Sequence, residues 1–111
     1  MKSSFVEYVV NDLLGDGGEV RARAMFGGHG IYRGDVMFGI IVDDELYYKV
    51  GDLNRRDFET RGSEPFQYMV KGKRPVTMSF WKVPAEVMDS RQALVEWTDT
   101  AVRVATKRRQ T

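Results

Sequence analysis

The sequence predicts an α+β two-layer sandwich, an antiparallel sheet with segregated helices in the order α-β-β-β-β-α-β-β-α. Three observations predict it. Short alternating apolar runs succeed one another from Val20 to Val50, separated by glycine or aspartate corners. Links of hairpin length make sequential strands antiparallel neighbours. Helix-period stripes are confined to the two ends, with one capped but poorly periodic helix between them, so helices segregate from strands. With 111 residues, 42% of them hydrophobic, the chain can bury one core without metal or disulfide staples. Residues 1–111 are read as a single domain.

The first element is a helix. Ser4-x-x-Glu7 has capping-box spacing, in which the serine oxygen accepts from the backbone three residues on and the glutamate reaches back. Phe5, Val9 and Leu13, flanked by Val6 and Val10, form its apolar face, and Gly15 offers a left-handed stop. Val20 to Phe26 then alternates as a half-buried strand. Val20, Ala22 and Ala24 point one way; Arg21, Arg23 and Met25 point the other. Gly27 and Gly28 turn the chain, His29 to Arg33 forms the second strand, and Gly34-Asp35 makes the next corner. Val36 to Val42 is a strand rich in β-branched residues. Asp43-Asp44 is a two-residue corner, and Glu45 to Val50 alternates with Leu46, Tyr48 and Val50 on one face.

Asp52 is expected to cap a short helix through Arg61, closed by Gly62 and anchored by Leu53 and Phe58. Pro65 resets the chain. Phe66 to Val70 and Val76 to Val83 form a hairpin whose connection, residues 71–75, turns at Gly72. Pro84 to Asp89 is a turn or one helical turn. Asp89 or Ser90 then caps the last helix, where Leu94, Trp97, Ala101 and Val104 make an amphipathic stripe. Asp99 and Arg103 are spaced to pair across one turn, worth about 0.3–0.5 kcal/mol. Lys107, Arg108 and Arg109 end that helix, where cations suit its dipole.

Composition narrows the function classes. The chain contains no cysteine, which removes disulfides, a thiol nucleophile and thiolate zinc sites. No apolar run approaches the roughly 20 residues that span a bilayer. The N-terminal stretch is broken by Glu7, Asn11 and Asp12, unlike a secretory signal, so a cytoplasmic location is expected. Seventeen Lys and Arg oppose sixteen Asp and Glu. A dedicated duplex binder is usually more basic, so local charge must decide on nucleic acid.

No reaction is spelled out by residue chemistry. Gly27-Gly28-His29-Gly30 lacks the Lys-Ser/Thr pair of a phosphate loop, and a strand rather than a helix follows it, which favours a tight turn. His29 is the only histidine and cannot build a multi-histidine metal site. Asp43-Asp44-Glu45 lacks the calcium-loop pattern and reads as a charged hairpin tip. No catalytic, cofactor or metal residues are therefore assigned. The candidate contact surface comprises Arg21, Arg23, Tyr47, Lys49, Lys71, Lys73, Arg74 and Trp81. Basic turns interleaved with aromatics can hold nucleic acid, and the competing reading is a solvated hairpin tip. Trp81 is either a core residue or the centre of a protein interface.

Several ordered motifs carry a family resemblance. Residues 23–32, RAMFGGHGIY, look like the opening signature of the TfoX/Sxy N-terminal domain. Met37-Phe38-Gly39-Ile40-Ile41 followed by Leu46-Tyr47-Tyr48-Lys49 resembles its central hairpin. Phe58-Glu59, Pro65-Phe66-x-Tyr68, Lys71-Gly72-Lys73 and Met78-Ser79-Phe80-Trp81-x-x-Pro84 continue in the same order, so the resemblance covers roughly residues 5–105. It implies a regulatory module, since family members act as positive regulators of natural-competence genes together with the cyclic-AMP receptor protein. Longer members add a C-terminal helical domain, and this chain is expected to be a stand-alone N-terminal domain. The resemblance carries over no catalytic residue.

The expected function is a non-enzymatic bacterial regulator that acts through protein contacts, with a transcription factor or RNA polymerase as partner. Two alternatives stand beside it. One is direct nucleic-acid binding through Lys71, Lys73, Arg74 and the basic C-terminus. The other is a small-molecule-binding protein or enzyme with His29 or Tyr47 in a pocket between sheet and helix. Homodimerisation through a sheet edge or the Trp81 face is a further expectation.

Overall fold

In the computed structural model, alternation and corners resolve into a six-stranded antiparallel sheet of order β1-β2-β3-β4-β6-β5. The structure describes residues 4–15, 20–25, 27–68, 71–74 and 76–109, with backbone alone at 108–109. The strands are β1 (Val20–Met25), β2 (Gly28–Arg33), β3 (Val36–Val42), β4 (Glu45–Lys49), β5 (Pro65–Tyr68) and β6 (Val76–Lys82). The helices are α1 (Ser4–Glu7), which continues as a π-helix over Tyr8–Leu13, then α2 (Arg55–Thr60), α3 (Ala85–Met88) and α4 (Arg91–Arg109). Helices and strands form the two layers of an α+β sandwich. The chain leaves β4, passes through α2 and lays β5 at the far edge before β6 returns to pair with β4. That edge tolerates Pro65, because a proline cannot donate within a ladder but can sit at its margin.

The corners are set by backbone conformation. Gly27, Gly34 and Gly72 adopt φ of 78°, 59° and 76°, the left-handed region where a side chain is strained. Asp43 and Asp44 hold φ of 52° and 60° in succession, a primed hairpin turn made without glycine. Gly28 is not a corner. It opens β2, paired with Met25, and an added Cβ would stand 2.5 Å from the Ile41 carbonyl oxygen. The residue is small because a neighbouring strand approaches closely.

The N-terminal element differs from the expected α-helix. Ser4 already lies inside the helix, and from Tyr8 the winding loosens to i→i+5, with the Leu14 N–H donating to the Val9 carbonyl at 3.0 Å. The wider turn lets Val9 and Leu14, five apart, both reach the core, where they are buried with Val6. The cap before α2 also moves, from Asp52 to Asn54. The Asn54 side chain is buried, accepts from the Gly51 N–H at 2.9 Å and donates to the Lys49 carbonyl at 3.0 Å. It ties the end of β4 to the start of α2. At the other end the Gly62 N–H bonds the Glu59 carbonyl and the Ser63 N–H bonds the Phe58 carbonyl, each at 3.0 Å. These are the paired bonds of a Schellman ending, with Gly62 at φ 75°.

The helices cover one sheet face. Its core joins Ile31, Phe38, Ile41, Leu46, Tyr48 and Val50 of the sheet region to Val6, Val9, Phe58, Val87, Leu94 and Ala101 of the helices. An irregularity between β2 and β3 matters here. Ile31 pairs with Gly39 and Tyr32 with Met37, which leaves Phe38 as an extra residue. Phe38 and Ile41 thereby both join the core, while Ile40 stays outside that cluster. Gly39 gives the Tyr48 ring its space, since an added Cβ would lie 3.1 Å from that ring and 2.8 Å from the Tyr47 carbonyl.

Along α4 the expected stripe gains a polar member. Thr98 is fully buried and shares a 2.5 Å hydrogen bond with the Tyr48 hydroxyl, satisfying both groups. Burial raises the Tyr48 pKa well above its ordinary value, outweighing the opposing bond from Thr98. Ser90 caps this helix, accepting from the Ala93 N–H at 3.2 Å. Asp99 does not pair with Arg103 along the helix. Its carboxylate takes Arg33 at 3.0 Å and ties α4 to the end of β2.

Candidate interaction surface

Strand alternation leaves a second sheet face that no helix among the described residues packs against. β1 places Arg21, Arg23 and Met25 there, opposite Val20 and Ala22, which pack on the core. Register carries the face across the sheet. Arg23 pairs with Gly30, Gly30 with Ile40, Ile40 with Tyr47, and Tyr47 with Lys82. One pleat further along, Arg21 pairs with Tyr32, Tyr32 with Met37, and Lys49 with Phe80. Phe66 of β5 reaches in to set its ring edge-on to Tyr47, centroids 5.1 Å apart, and stacks with Tyr68 at 6.5 Å. Tyr68 is 43% exposed, so this end of the face offers an aromatic ring to a partner.

Cations are threaded among these apolar groups. The Arg21 guanidinium lies 5.1 Å from the centre of the Tyr32 ring and donates to the Gly34 carbonyl at 3.0 Å. The Lys49 ammonium lies 4.9 Å from the Phe80 ring and donates to Ser79 Oγ at 2.6 Å. Arg23 is exposed and makes no ion pair among the described residues. The Glu45 carboxylate on this face is held by Lys82 at 2.6 Å and accepts from the Tyr47 hydroxyl at 3.3 Å. The Tyr47 pKa is raised, first by burial and then by the Glu45 charge. That of Lys82 is raised by its hydrogen bond to Glu45.

The structure therefore brings four of the sequence candidates, Arg21, Arg23, Tyr47 and Lys49, onto one face. Lys71, Lys73 and Arg74 stand apart and exposed on the turn between β5 and β6. Trp81 is a correction to the candidate set. It pairs with Tyr48 and packs on the helix-covered core, its ring 6.4 Å from that of Phe58 and edge-on to it. The side chains of Arg108 and Arg109 lie outside the described residues. Sequence reasoning set Met25 beside Arg21 and Arg23 but overlooked Tyr32, Met37, Ile40, Phe66 and Phe80 as members of this face. Their signal was present in the alternation, since each is opposite or beside a residue assigned to the core.

Two hollows hold the pocket candidates read from the sequence. His29 lines one of about 280 Å³ between the N-terminal helix and β1–β2, with Val6, Val10 and Ala22. Tyr47 lines another of about 460 Å³ beside α3. The second contains two satisfied ion pairs, Glu45–Lys82 and Arg61–Glu86 at 3.3 Å. The two alternative pocket residues thus lie in separate hollows. Among the described residues no group of three or more His, Cys, Asp or Glu could hold a metal. No helix among them is long and apolar enough to cross a membrane.

Residues 12–105 match the TfoX N-terminal domain family, and the chain belongs to it. A curated relative, the DNA transformation protein TfoX1 of Aliivibrio fischeri (strain ATCC 700601 / ES114), is 33% identical over 85 residues. The match takes in 71% of this chain and 41% of that relative, so the chain spans less than half of the relative's length.

Proposed function

We propose that this domain is a non-enzymatic regulator in the DNA transformation response, acting through protein contacts made by the uncovered sheet face. The observation that carries the reading is that face itself, a continuous mosaic of aromatic, thioether and cationic side chains without an assembled catalytic set. Such a composition matches interface cores, where aromatics, Met and Arg are enriched. Membership of the TfoX N-terminal domain family and likeness to a DNA transformation protein supply the biological setting. A transcription factor or RNA polymerase is the partner class proposed.

The test is transcriptional. Deletion should change transcript levels of DNA-uptake genes, and the wild-type chain should restore them. A chain with Arg23→Glu and Tyr68→Glu, altering both ends of the face, should fail to restore them. Gln92→Glu on the exposed side of α4 should restore them fully. An unchanged transcriptome after deletion would reject the regulatory reading. Full rescue by the double variant would reject this face as the working surface.

Nucleic-acid binding is the second reading, favoured by the exposure of Lys71, Lys73 and Arg74 on one turn. It predicts salt-dependent affinity with a slope of a few phosphate contacts. Charge reversal at Lys71 and Lys73 should weaken binding alike for all nucleic-acid sequences. Absence of binding at low salt would reject it.

A further inference from the structure

Gly30 carries the argument for a more specific partner. It is buried at the centre of β2, and the space a side chain would take is already filled. The sulfurs of Met25 and Met37 each lie 2.9 Å from where its Cβ would stand, and the Tyr32 ring lies 3.1 Å away. Two thioethers from β1 and β3 thus meet over the backbone of β2, with Ile40 beside them in register. Unbranched, polarisable methionines can repack around differently shaped apolar groups. The pad centres on Gly30 of β2, which β1 and β3 pair on both sides, so a partner that covers it cannot do so as a strand added at the β1 edge. It must lie on the face. A helix of about 10 Å diameter covers about two strand spacings, the width of the pad.

Charge narrows the choice further. The uncovered-face residues of β1, β2 and β3 include Arg21 and Arg23 but no carboxylate. Both arginines belong to β1 and so border one side of the pad. Two copies pressed face to face here would set these cations against an equally basic pad. On the pad itself single-stranded nucleic acid would lack a free ring to stack on, because the Tyr32 ring already lies beneath Arg21.

Resting on the reading that this face is the working surface, we propose that the Met25–Met37 pad docks an amphipathic helix. Its apolar ridge sits on the two partly exposed thioethers, and its acidic flank meets Arg21 and Arg23. The mode is a helix laid by its apolar face, with side-chain charge fixing its orientation.

The test titrates the whole chain with a synthetic helical peptide of about five turns. The peptide carries Leu at i, i+3, i+4 and i+7 and Glu along one flank. A second peptide replaces each Glu with Lys, and an oligothymidylate is the third probe. Amide chemical shifts should move at Met25, Met37 and Tyr32 with the Glu peptide, and the Lys peptide should bind at least about tenfold more weakly. The Arg21→Glu, Arg23→Glu double variant should reverse that preference, a readout that general loss of structure cannot produce. Equal affinity for both peptides, an unaltered preference in the double variant, or binding of the oligothymidylate alone would overturn the proposal. So would the absence of binding by any probe. In each of those cases the regulatory reading is still judged separately, by the transcript experiment.

Discussion

The covered and uncovered faces of the sheet come from the same strands, residue by residue, yet they are held together differently. On the covered face, rings sit in fixed edge contacts. Phe58 lies 4.6 Å from Trp97 and Phe38 lies 5.5 Å from Tyr48. The polar groups there are bonded to each other, as Tyr48 is to Thr98. On the uncovered face, two methionine sulfurs converge over a glycine, and cations lie over rings. Rigid packing on one side defines the fold. On the other, Met25 and Met37 are only partly buried and Arg21 and Arg23 are exposed. The difference teaches that similar hydrophobicity on two faces does not mean similar roles.

The strongest way to break this comparison is to cut into the covered face. Phe58→Ala removes a ring that is 1% exposed and touches both tryptophans, so a loss of about 3–5 kcal/mol is expected in urea denaturation. A loss under about 1 kcal/mol would mean that the helices are loosely seated. Gly28→Ala forces a Cβ towards the Ile41 carbonyl and should cost about 1–3 kcal/mol.

Tyr48→Phe sharpens the same contrast through pH. It deprives the buried Thr98 hydroxyl of its partner and should cost about 1–3 kcal/mol near neutrality. Burial raises the Tyr48 pKa above the ordinary 10.0, so above that pH the unfolded chain loses a proton that the folded chain keeps. The unfolded state then binds fewer protons, and stability falls as pH rises towards the folded pKa. Denaturation between pH 8 and pH 11 should show a steeper alkaline loss for the wild type than for Tyr48→Phe. Parallel curves would place the tyrosine in a wetter environment.

Smaller effects are expected outside the core. Asp99→Asn weakens a partly exposed pair with Arg33 and should cost about 0.2–1 kcal/mol, less at high salt. Arg23→Glu should change folding stability by no more than about 0.5 kcal/mol in the same assay. Together with a lost partner contact, that would separate the function of the uncovered face from the stability of the covered one. A large destabilisation would show that Arg23 supports the fold instead.

Local pattern carried much of this in the sequence. The strands of the meander, the corners at Gly27, Gly34 and Asp43-Asp44, the Schellman glycine at position 62 and the stripe of α4 all depend on neighbours within a few residues. Propensity and period report such interactions directly. The family resemblance likewise rested on ordered local motifs, and the family match over residues 12–105 agrees with it. Of the uncovered face, Arg21, Arg23, Tyr47 and Lys49 were recognised by charge and aromaticity. Met37 and Ile40 were passed over because apolar residues look alike whichever layer they serve.

By itself, then, the sequence determined an antiparallel α+β domain with fixed corners and one alternating face turned inward. Tertiary structure alone decided the π-winding that brings both Val9 and Leu14 inside, the extra residue at Phe38 and the edge position of β5. It also set Asn54 between β4 and α2, Thr98 beneath Tyr48 and Trp81 on the covered side. The physical reason is range. A corner or a cap is settled by bonds a few residues apart, whereas the covering of a face is settled by contacts between segments tens of residues distant, such as Tyr48 and Thr98. Those contacts exist only once the helices have packed.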